Sequence, residues 1–402
     1  MQTLLTETIG YLFLACSIVL LLIQLAYYLI IYIRIANRQK KVEKAKIQLS
    51  EDYPPLSVIL YTSGPIESLG ENLIQILEQD YPLFEVVVIN DNKKDENETT
   101  LLQLKEKYPH LYISFLPDSS RWVSRKKLAI SLGIRAAKYD WLVFTEPNCR
   151  PNSNQWLRLF SRNFTPTTEI VLGYSSFIHG KSWLQRKVAF DNLFRSIRYL
   201  GLAILRFPYM GMGRNMAYRK ELFLNNKGFG RSLDMLKGDD DLFINQMANS
   251  KNTRVETDAL SVIKMPLLEN KKTWSVERMN YEATSRHYHG IQRYLLGFET
   301  FSRLLLYILC IIGIIVSILT TNWILLATML TIIIIKYAVQ GYVINQTAMV
   351  LGEKERYYFT LPILDIIQPF QSLGWHLKYL FSNKNDFKRK SEFTRSVSNW
   401  QD

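Results

Sequence analysis

The run Gly238-Asp239-Asp240-Asp241-Leu242 sets three carboxylates side by side. Adjacent carboxylates repel one another, so a fold tolerates them only where water, a metal or a substrate compensates the charge. The triplet therefore marks either a site that meets a cation or a substrate, or a solvated acidic surface. Other segments carry groups of the same kind. Pro208-Tyr209-Met210-Gly211-Met212-Gly213-Arg214-Asn215 precedes the triplet, and its glycines at 211 and 213 let the backbone approach a ligand closely. Phe144-Thr145-Glu146-Pro147-Asn148-Cys149-Arg150-Pro151 is a polar turn. Asn90-Asp91-Asn92 is another, with residue types that also serve ordinary strand-end turns. Lys126 and Lys127 open a helical stretch and read either as ligand-facing cations or as a basic solvated face.

The elements that must hold these residues alternate. Leu56 to Tyr61 is a short β-rich run, followed by Leu69, Leu73, Ile76 and Leu77 at helical spacing. Glu85 to Ile89 predicts a continuous buried strand, Glu98 to Tyr108 a helix, and Leu111 to Phe115 a third strand. Arg125 to Lys138 predicts a third helix and Trp141 to Thr145 a fourth strand. Strands alternating with helices imply an α/β fold with a doubly wound, mostly parallel sheet. Such sheets bind ligands beyond the carboxyl ends of their strands, which is where Asp91 and the turn from Glu146 to Asn148 fall.

Apolar runs flank this domain. Ile9 to Ile33 carries no charge and is long enough to cross a hydrocarbon core of about 30 Å as a helix. Leu304 to Thr320 and Trp323 to Val343 predict a helical hairpin turning at Thr321-Asn322. Lys336, inside the second run, either snorkels or faces a partner helix. Leu361 to Phe381 holds Asp365, Pro369, His376 and Lys378 and predicts an interfacial or re-entrant helix. The expected organisation is a transmembrane helix over 1–36, a basic linker over 37–53 and a cytoplasmic domain over 54–300. A transmembrane hairpin over 301–345 and an interfacial segment with a basic tail over 346–402 complete it. Within the domain, 183–207 is amphipathic, with Arg195, Arg198 and Arg206 among apolar residues, and fits either a membrane surface or a packed core helix.

The 402 residues carry a net charge of +13 and are 48% hydrophobic. The excess charge lies beside the apolar runs: Arg34, Arg38, Lys40, Lys41, Lys44 and Lys46, then Lys384, Lys388, Arg389, Lys390 and Arg395. That distribution points to anionic lipid on the cytoplasmic side rather than to nucleic acid. Cys16, Cys149 and Cys310 have no disulfide or zinc spacing.

Together these motifs resemble a membrane-bound family 2 glycosyltransferase, over roughly residues 54 to 300. The resemblance implies a GT-A-like nucleotide-diphospho-sugar transferase domain. It implies that Asp91 holds the nucleotide and that the stretch at Lys127 approaches the donor. It implies that Glu146 and Asn148 stand where an Asp-x-Asp motif grips a magnesium or manganese ion bridging the donor diphosphate. Asp240 matches the acid that takes the acceptor's proton, with Asp239 and Asp241 on the acceptor side. Ala283-Thr284-Ser285-Arg286-His287 stands where a Gln-x-x-Arg-Trp element is found, so Arg286 is the expected diphosphate clamp. Three donor-side positions depart from the pattern: Ser63-Gly64-Pro65, Glu146-Pro147-Asn148 and Ala283. These departures imply an unusual donor, metal-poor catalysis or lost catalysis.

The expected activity is inverting transfer of a sugar from a nucleotide sugar to a lipid-linked or growing glycan acceptor at the cell membrane, as in polysaccharide or glycolipid synthesis. The alternative is a catalytically silent homologue that scaffolds a partner membrane protein.

Overall fold

The computed structural model describes residues 2–64, 66–91, 96–116, 124–233, 235–268, 270–383 and 386–387. Pro65, Asn92 and the tail residues Lys384, Lys388, Arg389, Lys390 and Arg395 lie outside the described residues.

The chain begins with helix α1 (Gln2–Ala26), which continues through a π-helical turn (Tyr27–Tyr32) into α2 (Arg34–Glu43). The continuous helix is longer than its apolar stretch because its polar end is tied to the globular domain. Buried Arg38 donates to Asn163 Oδ1 at 2.8 Å and to Thr257 Oγ1 at 2.9 Å. Part of the expected basic linker is therefore helix packed on the domain.

Strands and helices then alternate: β1 (Leu56–Thr62), α3 (Leu69–Leu77), β2 (Phe84–Asn90), α4 (Glu96–Lys107), β3 (Leu111–Phe115), α5 (Arg125–Ala136) and β4 (Trp141–Phe144). After them come β5 (Arg150–Pro151), α6 (Trp156–Ser161), β6 (Ile170–Leu172), β7 (Ser175–Phe177) and α7 (Trp183–Ile204). β8 (Met216–Arg219), α8 (Lys220–Asn225), α9 (Asp241–Met247), β9 (Thr253–Val255) and β10 (Ile263–Met265) close the domain. The main sheet has the order β3-β2-β1-β4-β8-β6-β9. β1 pairs parallel with β2 and β4, β2 with β3, and β6 with β9, while β8 runs antiparallel between β4 and β6. The fold is thus mixed α/β with a mostly parallel sheet. Val86, Val87, Val88 and Ile89 are all fully buried, as expected of a strand covered on both faces.

Four helices follow: α10 (Lys271–Ser285), α11 (Gln292–Leu319), α12 (Trp323–Val350) and α13 (Leu361–Leu380). Among the described residues, three helical stretches are long and apolar enough to cross a membrane: Leu12–Glu43, Gln292–Leu319 and Trp323–Val350. α13 is not one of them. It docks on α11 and α12 through Asp365, which accepts from Arg303 Nη1 at 2.8 Å and from Lys336 Nζ at 2.6 Å. Lys336 therefore faces a partner helix rather than snorkelling. The amphipathic 183–207 segment resolves as α7, capped by a reciprocal Ser182–Gln185 box and buried from Val188 to Ala203 on most of its surface. It is a packed core helix.

Candidate active site

The turn after β4, the segment before β8, the start of α9 and one face of α10 enclose a cleft of about 500 Å³. Its lining includes Lys126, Glu146, Arg214, Asp239, Asp240 and Asp241. Glu146 and Asn148 reach it from the turn after β4. Arg214 arrives from the segment before β8, whose antiparallel run starts at the carboxyl end of its neighbours. The acids come from the turn entering α9. Gly238 there has φ +95°, a left-handed conformation suited to glycine, and a Cβ would fall 2.5 Å from Leu242 Cδ1.

The three acids have different surroundings. Asp239 is buried and paired with Lys126 Nζ at 2.9 Å. Burial pushes its carboxyl up, but the Lys126 and Lys237 charges outweigh this and hold it below the usual carboxylate range. Asp241 is also buried, and its Oδ2 accepts from the Thr284 hydroxyl and from Tyr288 Oη at 2.7 Å. Asp240 is half-buried, and its Oδ2 accepts from the Gly213 N–H at 2.9 Å. A side chain at 213 would put its Cβ 3.2 Å from the Asp240 Cβ. Gly213 therefore admits Asp240 rather than an approaching ligand. Gly211 likewise packs on protein, against Leu172 and Ile244.

Burial and the charge of Asp240 push the Asp241 carboxyl up to about 7; burial and the charge of Asp239 raise Asp240 as well. A carboxyl whose pKa is raised from 3.8 by folding contributes stability that is full below pH 3.8 and is lost as pH rises through about 7. In Asp241→Asn that pH-dependent loss disappears. The melting temperature of this variant should gain on wild type between about pH 4 and about pH 7, measured as paired thermal melts. A constant difference across that range would show that Asp241 titrates as an ordinary carboxyl.

Glu146 is held by cations. Its Oε2 accepts from Arg214 Nε at 2.8 Å and its Oε1 from Lys126 Nζ at 3.3 Å. Burial raises its pKa, but Arg214 and Lys126 bring it well below the ordinary carboxylate range. Arg214 also donates to Glu277 Oε1 at 2.9 Å. Asn148 is exposed at the cleft edge. Among the described residues no group of three or more His, Cys, Asp or Glu side chains is placed to hold a metal ion. With an amide at Asn148 in place of a second carboxylate, and the Lys126 and Arg214 cations standing where the ion's charge would be, this donor set does not fit a divalent ion.

Three expected donor-side residues stand elsewhere. Lys127 is fully buried and donates to the Ser232 and Met235 carbonyls, so it anchors the loop leading to the acids. Adjacent residues on a helix point about 100° apart, and it is Lys126 that faces the cleft. Arg286 ends α10 and lies over the Tyr379 ring, 4.4 Å from its centroid, lining a different cavity. The residue of that element that meets the acids is Thr284. Asp91, after β2, accepts from Arg125 Nε and Tyr61 Oη, both at 2.6 Å, and is not part of the cleft lining. Sequence reasoning gave no role to Arg214, Glu277, Thr284 or Tyr288. Arg214 and Thr284 lay inside segments already singled out, and nothing local marks Glu277 or Tyr288.

Comparison with known proteins gives the same general picture. The sequence profile of glycosyl transferase family 21 matches residues 16–370, where the motifs resembled family 2. No curated protein matches the chain. Among solved structures, the chain is similar to the mannosyltransferase PcManGT from Pyrobaculum calidifontis in complex with GDP-Man and Mn2+. The TM-score is 0.54 at 16% identity, covering 92% of this chain and 99% of that one, a likeness of fold. A fragment of S. aureus TarS, residues 1-349, matches with a TM-score of 0.40 at 14% identity, over 81% of this chain and 91% of that one.

Proposed function

Because the chain belongs to glycosyl transferase family 21, we propose that it moves a sugar from a nucleotide-sugar donor to a lipid-linked acceptor, and that the acidic cleft is where transfer occurs. The observation that carries this reading is the graded environment of the three acids. One is neutralised by Lys126, one is buried under two hydroxyls, and Asp240 alone of the three cleft acids is left half-exposed. In the proposed reaction the acceptor hydroxyl oxygen attacks the anomeric carbon. Asp240 takes its proton, and the bond from the anomeric carbon to the diphosphate oxygen breaks with its electrons leaving on the nucleotide. Attack opposite the leaving group inverts the anomeric centre. The positive charge that the departing diphosphate needs comes from Lys126 and Arg214, which exchange Glu146 for phosphate oxygens as the donor enters. The nucleoside lies toward Asp91 at the end of β2. In this reading the three apolar helices lie in a membrane beside the cleft, and the globular domain faces the cytoplasm, the side favoured by the basic residues after the first span.

Calorimetric titration of the purified full chain with a panel of nucleotide sugars tests this. GDP-mannose comes first, since PcManGT carries GDP-Man. At least one member is expected to bind, with the same affinity in EDTA as in manganese. Binding that requires manganese would overturn the cationic account of the diphosphate. A folded sample that binds no member would overturn sugar transfer and favour the silent scaffold.

A further inference from the structure

Next to the acidic cleft, beyond Tyr281, lies a larger cavity of about 1000 Å³ that the transfer reaction leaves unused. Five arginines line it: Arg195 and Arg198 from α7, Arg278 from α10, Arg286 at the cap just past its end, and Arg293 from α11. Among its described lining residues the only carboxylate is Glu282. Two acids stand behind the arginines: Asp191 is 3.3 Å from Arg195 and 3.7 Å from Arg278, and Glu299 pairs with Arg198. Arg286 rests on the Tyr379 ring, and Arg293 donates to the Arg286 carbonyl at 3.0 Å. The positive charge therefore exceeds its protein partners. Buried N–H groups of Arg195, Arg278 and Arg286 find no acceptor among the described residues. Buried donors left without acceptors are costly, so the protein alone leaves this cluster under-compensated, and a ligand would meet the guanidinium groups that line the cavity.

The opposite wall is apolar. Phe298, Phe301 and Leu304 of α11 and Leu373 of α13 form it. Phe298 and Phe301 are exposed, and α11 runs on from there as one of the three helices apolar enough to cross a membrane. A guanidinium cluster facing an apolar wall at the foot of such a helix has the chemistry of an amphiphile's berth, anionic at one end and hydrocarbon at the other. The cavity adjoins the cleft across two tyrosines. Tyr281 lines both, and Tyr288, part of this lining, donates to Asp241.

We propose that this cavity binds a lipid whose headgroup carries a phosphate or diphosphate and a free hydroxyl. The arginines hold the phosphate, and the hydroxyl reaches Asp240. The proposal rests on the sugar-transfer reading for the fate of that hydroxyl, but not for the binding itself. A neutral lipid would leave the guanidinium groups uncompensated, and a free nucleotide would leave the apolar wall unused.

The full chain in dodecyl maltoside micelles is titrated with dodecyl phosphate, dodecanol and inorganic phosphate, each as wild type and as the Arg286→Gln/Arg293→Gln double variant. Dodecyl phosphate should bind at least about tenfold more tightly than either of the others, because charge-assisted hydrogen bonds and hydrocarbon burial act together. The double variant should lose at least about tenfold in that affinity. Its nucleotide-sugar affinity, measured alongside, should stay at the wild-type value, which separates failure here from failure of the sugar-transfer reading. Dodecanol binding as tightly as dodecyl phosphate would overturn the anionic head. Inorganic phosphate binding as tightly would overturn the lipid, and an unchanged double variant would overturn the arginine site.

Discussion

Replacing Asp240 with Asn is expected to lower turnover by about 10²–10⁴-fold, the range a positioned general base contributes, while leaving nucleotide-sugar affinity near its wild-type value. The two halves of this expectation have different physical origins. Asn keeps the shape of Asp and an oxygen that can accept the Gly213 N–H now held at 2.9 Å, so the turn into α9 has no reason to move. It loses the lone pair that takes the acceptor's proton. Asp239 cannot take over that role, because its carboxylate is committed to Lys126 at 2.9 Å. Nor can Asp241, which is buried beneath Thr284 and Tyr288. Donor binding is expected to survive because Lys126 and Arg214 contact Glu146 and not Asp240. Radiolabelled sugar transfer measured beside calorimetric donor titration reads both halves. Wild-type turnover in Asp240→Asn would remove it as the base, and parallel losses of binding and turnover would mean that it holds the donor instead.

How much of this arrangement could be read from the chain depends on whether the signal was local. β2 falls at Phe84–Asn90, where the apolar run put it to within a residue, because a strand buried on both faces is simply a continuous apolar run; the edge strand β3 falls at Leu111–Phe115, where buried Leu111 and Ile113 flank exposed Tyr112. The acid triplet was visible for the same kind of reason: three like charges in a row are a local anomaly. What was not visible were partners brought together across long loops. Glu146 meets Arg214 across 68 residues and Asp241 meets Tyr288 across 47. Without those contacts a metal-binding Glu146 was the natural expectation. Lys126 and Lys127 illustrate a second limit, since two identical neighbours on a helix offer no sequence signal for which one faces the ligand. Arg286 illustrates a third. A matched motif position carries the residue type but not its orientation, and here the guanidinium turns to Tyr379 and the arginine-lined cavity.

Asp365→Ala should cost about 3–5 kcal/mol of stability, the penalty for leaving a buried charge uncompensated. The carboxylate accepts from Arg303 Nη1 on one oxygen and from Lys336 Nζ and Tyr307 Oη on the other. The side chains of Arg303 and Lys336 are almost wholly inaccessible, at 0% and 4% exposure. Without Asp365, Arg303, Lys336 and neighbouring Arg198 would share the single carboxylate of Glu299. Tyr307 and Gln340 would still accept from Lys336, but neither carries a charge. The stability deficit comes from the surviving cations rather than from a missing contact, so removing one of them should restore part of it. The double variant Asp365→Ala/Lys336→Met is accordingly expected to melt above Asp365→Ala alone, in detergent-solubilised thermal melts of both. If the single variant melts with wild type, the network does not hold α13 in place. If the double variant melts below the single one, Lys336 stabilises the helices by its own packing. Because α13 supplies Leu373, His376 and Leu380 to the arginine-lined cavity, loosening it should also weaken dodecyl phosphate binding. Donor affinity should change less, because Lys126, Glu146 and Arg214 are held by the turns beside the sheet rather than by α13.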